Sequence, residues 1–267
     1  MRVGLTVAAD SQTGCVRTVN EDSFITGQQI WAVADGMGGQ AAGDQASRIA
    51  AQCIEESDQA GPLDQTGINS MMVRINQEIL AYAVANPKAA GLGTTIAGVA
   101  LVDVAGQNHW LVFHIGDSRV YRLTNKSLIL ETADHSEVQV LVETGKISPV
   151  EARAHPQRNI LTRFLGIDET PKVDMRLVPY VPGERWLICS DGLTTEIEDD
   201  AIERILQETE NPFEVVNTLV GVALNQGGRD NVTVVVVDTD PADMTDHTVE
   251  DTLSLSEIKG TNGSRVP

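Results

Sequence analysis

Aromatic and basic residues are scarce in this chain. Only 4% of its 267 residues are Phe, Trp or Tyr, while 42% are hydrophobic, so its core has to be built mostly from Val, Ile, Leu and Ala. Nineteen basic residues face 38 acidic ones, a net charge of −19. Phosphate backbones and anionic bilayers reward Lys and Arg, so nucleic acid and membrane are excluded as main partners. Part of the acid excess is solvated surface that keeps a protein soluble; a subset is left to neutralise bound cations. Cysteine is equally sparse. Cys15, Cys53 and Cys189 form an odd number with no CxxC, which excludes a disulfide framework and a structural zinc site and fits a reducing compartment. Cys53 and Cys189 lie in apolar settings and read as small core residues. A Cys followed five residues later by Arg, with glycines between, is absent, and with it the phosphate loop of cysteine phosphatases. No run reaches the roughly 18–20 apolar residues of a membrane span, and Met1–Thr6 shows no basic-then-apolar leader. A cytoplasmic monomer is expected.

The length fits one large domain or two small ones. Weak alternation over 3–9 predicts a strand, 15–22 a polar turn, and 23–34 two short strands closing on Asp35. The period then changes. Ala46, Ile49, Ala50, Cys53 and Ile54 are spaced for a helix over 40–57, and Met72, Ile75, Ile79, Tyr82 and Ala83 for a second over 68–85. Met71 and Met72 read as core filling. Residues 94–103, 109–115 and 119–123 predict an antiparallel meander with a turn at Gly106-Gln107-Asn108, and 127–132 a further strand. Residues 134–170 are polar and depart from the core, as a lid or as a connecting subdomain. They contain a short helix around Val138, Leu141 and Val142, and a helix start at Ser148-Pro149. Strands return at 173–178 and 185–190. Helices follow at 198–207 and 212–225, ended by Gly227-Gly228, and 231–237 is a β-branched run suited to a central strand. This order lacks the regular strand–helix alternation of a parallel sheet. Residues 239–267 hold six acidic and two basic residues and few apolar ones, and are expected to be a disordered tail.

Aspartates recur where apolar runs end. Trp31-Ala32-Val33-Ala34-Asp35 is followed by Gly36-Met37-Gly38-Gly39, and the glycines allow a sharp turn or a close approach of backbone. The same stretch also fits a plain strand and turn in which Asp35 caps the helix beginning near Ala42. The pattern repeats at Ile115-Gly116-Asp117-Ser118-Arg119 and Cys189-Ser190-Asp191-Gly192, and in inverse at Arg229-Asp230-Asn231, where the aspartate begins a strand. Glu21, Asp22, Asp35, Asp117, Asp191 and Asp230, if gathered, repel one another unless cations sit between them. An all-oxygen set suits Mg²⁺ or Mn²⁺ better than zinc. Two such ions can clamp a phosphoryl group, and Arg17, four residues before Glu21, supplies a fork that matches phosphate.

Seven segments taken in order resemble the metal-dependent protein phosphatases of the 2C type, in their compact bacterial form. They are Arg17-Thr18-Val19-Asn20-Glu21-Asp22, Asp35-Gly36-Met37-Gly38-Gly39, Gly93-Thr94-Thr95, Gly116-Asp117-Ser118-Arg119, Asp134-His135-Ser136, Ser190-Asp191-Gly192-Leu193 and Gly227-Gly228-Arg229-Asp230-Asn231. Each is weak alone; together, from about residue 4 to 238, they are specific. The resemblance implies an α+β fold, an α-β-β-α four-layer sandwich with two central antiparallel sheets flanked by helix pairs. It implies a phosphatase domain over 1–238, with residues 134–170 as a flap beside the active site. The implied reaction is hydrolysis of phosphoserine and phosphothreonine in proteins by a water bridging two Mn²⁺ or Mg²⁺ ions, opposing a Ser/Thr kinase. By the same carry-over Asp35 bridges both metals, the Gly36 carbonyl completes one, and Asp191 and Asp230 hold the other. Glu21 and Asp22 act partly through waters, Asp117 with Asp191 holds a third ion, and Arg17 holds the phosphate.

One position departs from many eukaryotic relatives. Met37 stands where they carry a histidine assigned as general acid, and methionine cannot donate a proton. Water on the ion held by Asp117 is the alternative acid. Among the histidines, His109 and His114 lie in strand-like runs and read as structural, while His135 and His155 lie where they could reach substrate. Three other functions fit the sequence less well. A two-metal phosphodiesterase or nuclease is opposed by the acidic charge. A catalytically dead phosphoprotein-binding relative is opposed by the intact Asp35, Asp191 and Asp230. A secreted calcium module is opposed by the absent leader and calcium loop.

Overall fold

The computed structural model describes residues 3–38, 42–124 and 127–242. The chain opens with strands β1 (Leu5–Gln12), β2 (Asp22–Thr26) and β3 (Ile30–Met37), then helices α1 (Gly43–Gln59) and α2 (Gln65–Ala85). Next come β4 (Gly93–Thr94), β5 (Ile96–Val104), β6 (Gln107–Ile115), β7 (Arg119–Thr124) and β8 (Ser127–Leu130). Two short helices, α3 (Glu137–Glu143) and α4 (Pro149–Arg153), precede β9 (Asp174–Pro179) and β10 (Arg185–Cys189). The last elements are α5 (Asp191–Glu196), α6 (Asp199–Glu208), α7 (Pro212–Asn225) and β11 (Val232–Thr239).

Two antiparallel sheets result, one in the order β1-β11-β10-β7-β8 and the other β2-β3-β5-β6-β9, with β4 paired to β3. Side chains alternate across a strand, and here both faces of the central strands are covered. Trp31 and Val33 of β3 point between the sheets, while Ala32 and Ala34 point to α1 and α2. On β11, Val235 and Val237 face the other sheet, and Val232, Val234 and Val236 face α5, α6 and α7. Double coverage explains why these strands read as continuous apolar runs. The layers are the expected α-β-β-α sandwich.

Few as the aromatics are, all three tryptophans are spent at one place. Trp110 lies 5.7 Å from Trp31 and 5.4 Å from Trp186, centroid to centroid, in the middle of the inter-sheet layer. Met71, Met72, Cys53 and Cys189 are buried core residues; burial pushes the Cys189 thiol up to about 12, which leaves it inert.

Three local expectations are corrected. The β5–β6 turn is Ala105-Gly106, not Gly106 to Asn108, because both residues take positive φ (56° and 83°), as a two-residue turn matching strand twist demands. The segment after Cys189, for which the sequence suggests no element, forms the six-residue helix α5, too short for a periodic signal. Asp35 does not cap α1: its N-cap, Ala42, has no side-chain cap, and the Gly43 N–H donates to Glu21 Oε1 at 3.1 Å. Thr239 still pairs with Leu5, so the sheet runs one residue into the expected tail, whose residues 243–267 lie outside the described ones.

Candidate active site

Strand register brings the first two carboxylates together: Asp22 and Asp35 are directly cross-strand on β2 and β3. Asp35 is fixed by the neighbouring turn, where its N–H donates to Thr95 Oγ1 at 3.2 Å and its carbonyl accepts from Thr94 Oγ1 at 2.9 Å. Gly36 follows where a Cβ would collide with the carbonyls of Glu21 and Gly43, so only glycine lets the three segments meet. Asp22 ties this sheet to the other one. Its Oδ2 accepts from Ser190 Oγ at 2.8 Å and Thr233 Oγ1 at 2.6 Å. Its Oδ1 is buried without a hydrogen-bond partner among the described residues.

The other carboxylates arrive from the second sheet and from the end of β6. Asp191 opens α5 directly after β10, and Asp230 precedes β11. Asn231 then staples the loop that carries Arg17 and Glu21: its Nδ2 donates to the carbonyls of Thr13 and Val19, and its Oδ1 accepts from the Glu21 N–H at 2.8 Å. Asp117 follows Gly116, whose φ of 110° ends β6. Arg17 Nη2 donates to Asp230 Oδ2 at 2.7 Å.

Burial and mutual repulsion raise Asp22, Asp35, Asp117 and Asp191 above the ordinary carboxylate range. Burial is the leading cause throughout. It lifts Asp22 to about 6, against hydrogen bonds from Thr233 and Ser190. Asp191 rises to about 7, with Asp230 and Asp22 adding to burial. Asp35 stands well above its ordinary value, pushed by burial and then by Asp22, Asp191, Asp117 and Asp230. Asp117 is also well raised, by burial and then Asp191. Asp22, Asp191, Asp117 and Asp230 all repel the Asp35 carboxyl, which places it at the centre of the set. Acids so placed either share protons or share cations. The oxygen-only donor set and the unpartnered Asp22 Oδ1 fit Mn²⁺ or Mg²⁺.

A cavity of about 820 Å³ opens beside Asp117 and Asp191. Arg153 and Arg158 border it on the side of α3 and α4, Glu198 and Asp200 on the side of α6. Both feet of the 134–170 excursion are pinned to the core: the His135 N–H donates to the Gly116 carbonyl at 2.9 Å, and Leu165 exchanges backbone hydrogen bonds with Thr94.

Residues 16–224 match the model of the protein phosphatase 2C family. The chain belongs to that family. Serine/threonine protein phosphatase PstP of Mycobacterium tuberculosis (strain ATCC 25618 / H37Rv) is 41% identical over 237 residues, covering 88% of this chain and 45% of PstP. Serine/threonine phosphatase stp of Listeria monocytogenes serovar 1/2a is 35% identical over 238 residues, covering 85% of this chain and 93% of stp. The crystal structure of the PstP catalytic domain in complex with 2 manganese ions is similar with a TM-score of 0.80 at 36% identity, covering 90% of this chain and all of that one. This chain thus spans less than half of PstP and nearly all of stp.

In this phosphatase 2C chain every carboxylate singled out from sequence lies in or beside one site, and so do Arg17 and Gly36. His135 and His155 do not. His135 is buried with its Nδ1 on the Gly116 N–H, and the His155 Nδ1 accepts from the Gln157 N–H; neither lines the cavity. The sequence alone gives no role to Ser190, Thr233, Thr95 or Asn231, which fix Asp22, Asp35 and the Glu21 loop in place. Their only signal was adjacency to Asp191, Asp230 and the Gly93-Thr94-Thr95 segment. Among the described residues no helix is long and apolar enough to cross a membrane.

Proposed function

We propose that this chain is a metal-dependent protein phosphatase that hydrolyses phosphoserine and phosphothreonine in proteins. The observation that carries the reading is the Asp35 carboxylate placed directly cross-strand from Asp22, with Asp117, Asp191 and Asp230 in electrostatic reach and Arg17 paired to Asp230. The names of PstP and stp and the manganese-bound PstP catalytic domain support it.

Asp35, the Gly36 carbonyl, Asp191 and Asp230, with Glu21 and Asp22, would hold two Mn²⁺ or Mg²⁺ ions, and Asp117 with Asp191 a third. When bound, these ions supply Lewis acidity that activates water and polarises the phosphoryl group. The protein's part is placement. Asp22 is locked between the sheets by Ser190 and Thr233, and Asp35 by the Thr94-Thr95 turn. The Arg17 fork reaches past Asp230 to orient the phosphate oxygens. Met37 donates no proton, and among the described residues no histidine lines the cavity to replace it. The phosphorylated side chain enters from the cavity between the flap and α6, which keeps the rest of the protein substrate outside. The substrates are products of serine/threonine kinases.

A substrate panel tests this reading. With Mn²⁺ present, phosphate is released from phosphothreonine and phosphoserine peptides, and a phosphodiester such as bis-p-nitrophenyl phosphate turns over far more slowly. Preference for the diester, or no release from either peptide, would contradict it.

A further inference from the structure

Outside the carboxylate site, His114, His135 and Asp174 bring one ligand atom each within 4.8 Å of the others. The spacing suits a metal ion; the hydrogen bonds do not. The Gly116 N–H donates to His135 Nδ1 at 3.1 Å, so that nitrogen carries a lone pair. His135 is buried, and its proton therefore sits on Nε2, 3.2 Å from Asp174 Oδ2. Ligation through Nε2 would need a second lone pair on the same ring, available only if the Gly116 bond were broken. His114 has its Nε2 at 2.9 Å from the Ala133 carbonyl, which can only accept, and its ring stacks on His135 at 4.5 Å.

The same bonds make His135 a clamp on the residue before Asp117. Gly116 is held twice, by its N–H on His135 Nδ1 and by its carbonyl, which accepts the His135 N–H at 2.9 Å. It cannot be another residue: φ is 110° and a Cβ would strike Thr95. On the far side of Asp117, Ser118 Oγ lies 2.7 Å from Thr95 Oγ1, and Thr95 in turn bonds the Asp35 N–H. Asp117 is thus suspended between two buried anchors. The His135 anchor continues outward through Asp174 to Arg163, whose Nη1 lies 2.8 Å from Asp174 Oδ1, and through the Thr162 N–H to the flap.

We propose that His135 is a positioning residue: through Gly116 it sets the Asp117 carboxylate for its ion and couples that setting to the foot of the flap. This rests on the phosphatase reading only for what the ion is used for; the clamp itself concerns the chain alone. Supporting groups around metal ligands commonly change affinity about tenfold or more when altered.

Two variants separate the roles of the ring nitrogens. In His135→Asn the side-chain oxygen can take the place of Nδ1 and keep the Gly116 bond. In His135→Gln the amide reaches toward Asp174 but leaves the Gly116 N–H unpaired. Mn²⁺ binding by calorimetry should show the weakest step unchanged in the Asn variant and about tenfold weaker in the Gln variant, with the tighter steps preserved. In the metal-free wild type, nitrogen-15 chemical shifts should place the His135 proton on Nε2, and the Gly116 amide should exchange slowly. Equal weakening in both variants, or a proton on Nδ1, overturns the proposal; the wild-type spectrum decides it even if a variant fails to fold. Failure of the wild type to bind Mn²⁺ would instead overturn the phosphatase reading, and would leave the tautomer result standing.

Discussion

Arg17 and Asp230 form an ion pair at 2.7 Å, across 213 residues of sequence, with half of the Arg17 side chain exposed. The proposed phosphate-orienting fork therefore rests on a proposed metal ligand. Asp230 also accepts from the Asn231 N–H at 2.9 Å, so it is itself held in place. Replacing Arg17 should cost substrate affinity rather than folding. Arg17→Lys keeps the charge and loses the fork. The expected result is a fall of about tenfold or more in kcat/KM for a phosphopeptide, on the scale of one charge-assisted hydrogen bond, with an unchanged melting temperature. Steady-state kinetics beside a thermal melt check both halves.

Asp117 is expected to matter most when the leaving group needs a proton. Methionine at position 37 donates none. Nitrophenolate leaves unaided, whereas a threonine alkoxide does not. Asp117→Ala should lower phosphopeptide turnover more than p-nitrophenyl phosphate turnover, by a ratio of about a hundredfold, the lower range of general-acid contributions. Equal loss on the two substrates would contradict this.

His135 gives the metal-free protein a pH dependence of known sign. Burial, then His114 and Arg163, lower its value to about 4, against Asp174, which raises it. The folded state therefore holds fewer protons on this ring than the unfolded chain, whose histidine titrates near 6.5. Its stabilising contribution is complete above about 6.5 and is lost as pH falls toward 4. The span corresponds to at most about 3 kcal/mol. Urea unfolding of wild type and His135→Asn at several pH values should show the difference between them shrinking across that window.

The tryptophan cluster makes a stability prediction. Trp110 is fully buried against Trp31, Trp186 and Tyr180. Trp110→Ala should cost about 3–5 kcal/mol. Trp110→Phe should cost much less, because the Trp110 indole N–H has no hydrogen-bond partner among the described residues and its removal strands nothing. Denaturant midpoints of the two variants decide it.

Much of this molecule was legible before any coordinates. The long helices showed because their buried faces repeat at 3.6 residues, as with Ala46, Ala50, Cys53 and Ile54 on α1. The clustered carboxylates showed because a carboxylate ending an apolar run is costly unless used. What stayed hidden depends on register or on short range. No periodicity betrays the six residues of α5. The pairing of Asp22 with Asp35, and the reach of Asn231 back to Thr13 and Val19, exist only once the sheets are assembled. The place of His135 could not be read because a histidine in a polar segment can face either way; here it is turned inward onto Gly116.

The central claim is that Asp191 and its neighbours hold the ions on which turnover depends. The most direct measurement is phosphate release from a phosphothreonine peptide, with Mn²⁺ titrated against EDTA, for wild type and Asp191→Asn. The account predicts metal-dependent turnover in the wild type, abolished by EDTA, and none in the folded variant at any Mn²⁺ concentration. Turnover that survives EDTA, or that persists undiminished in Asp191→Asn, would contradict it.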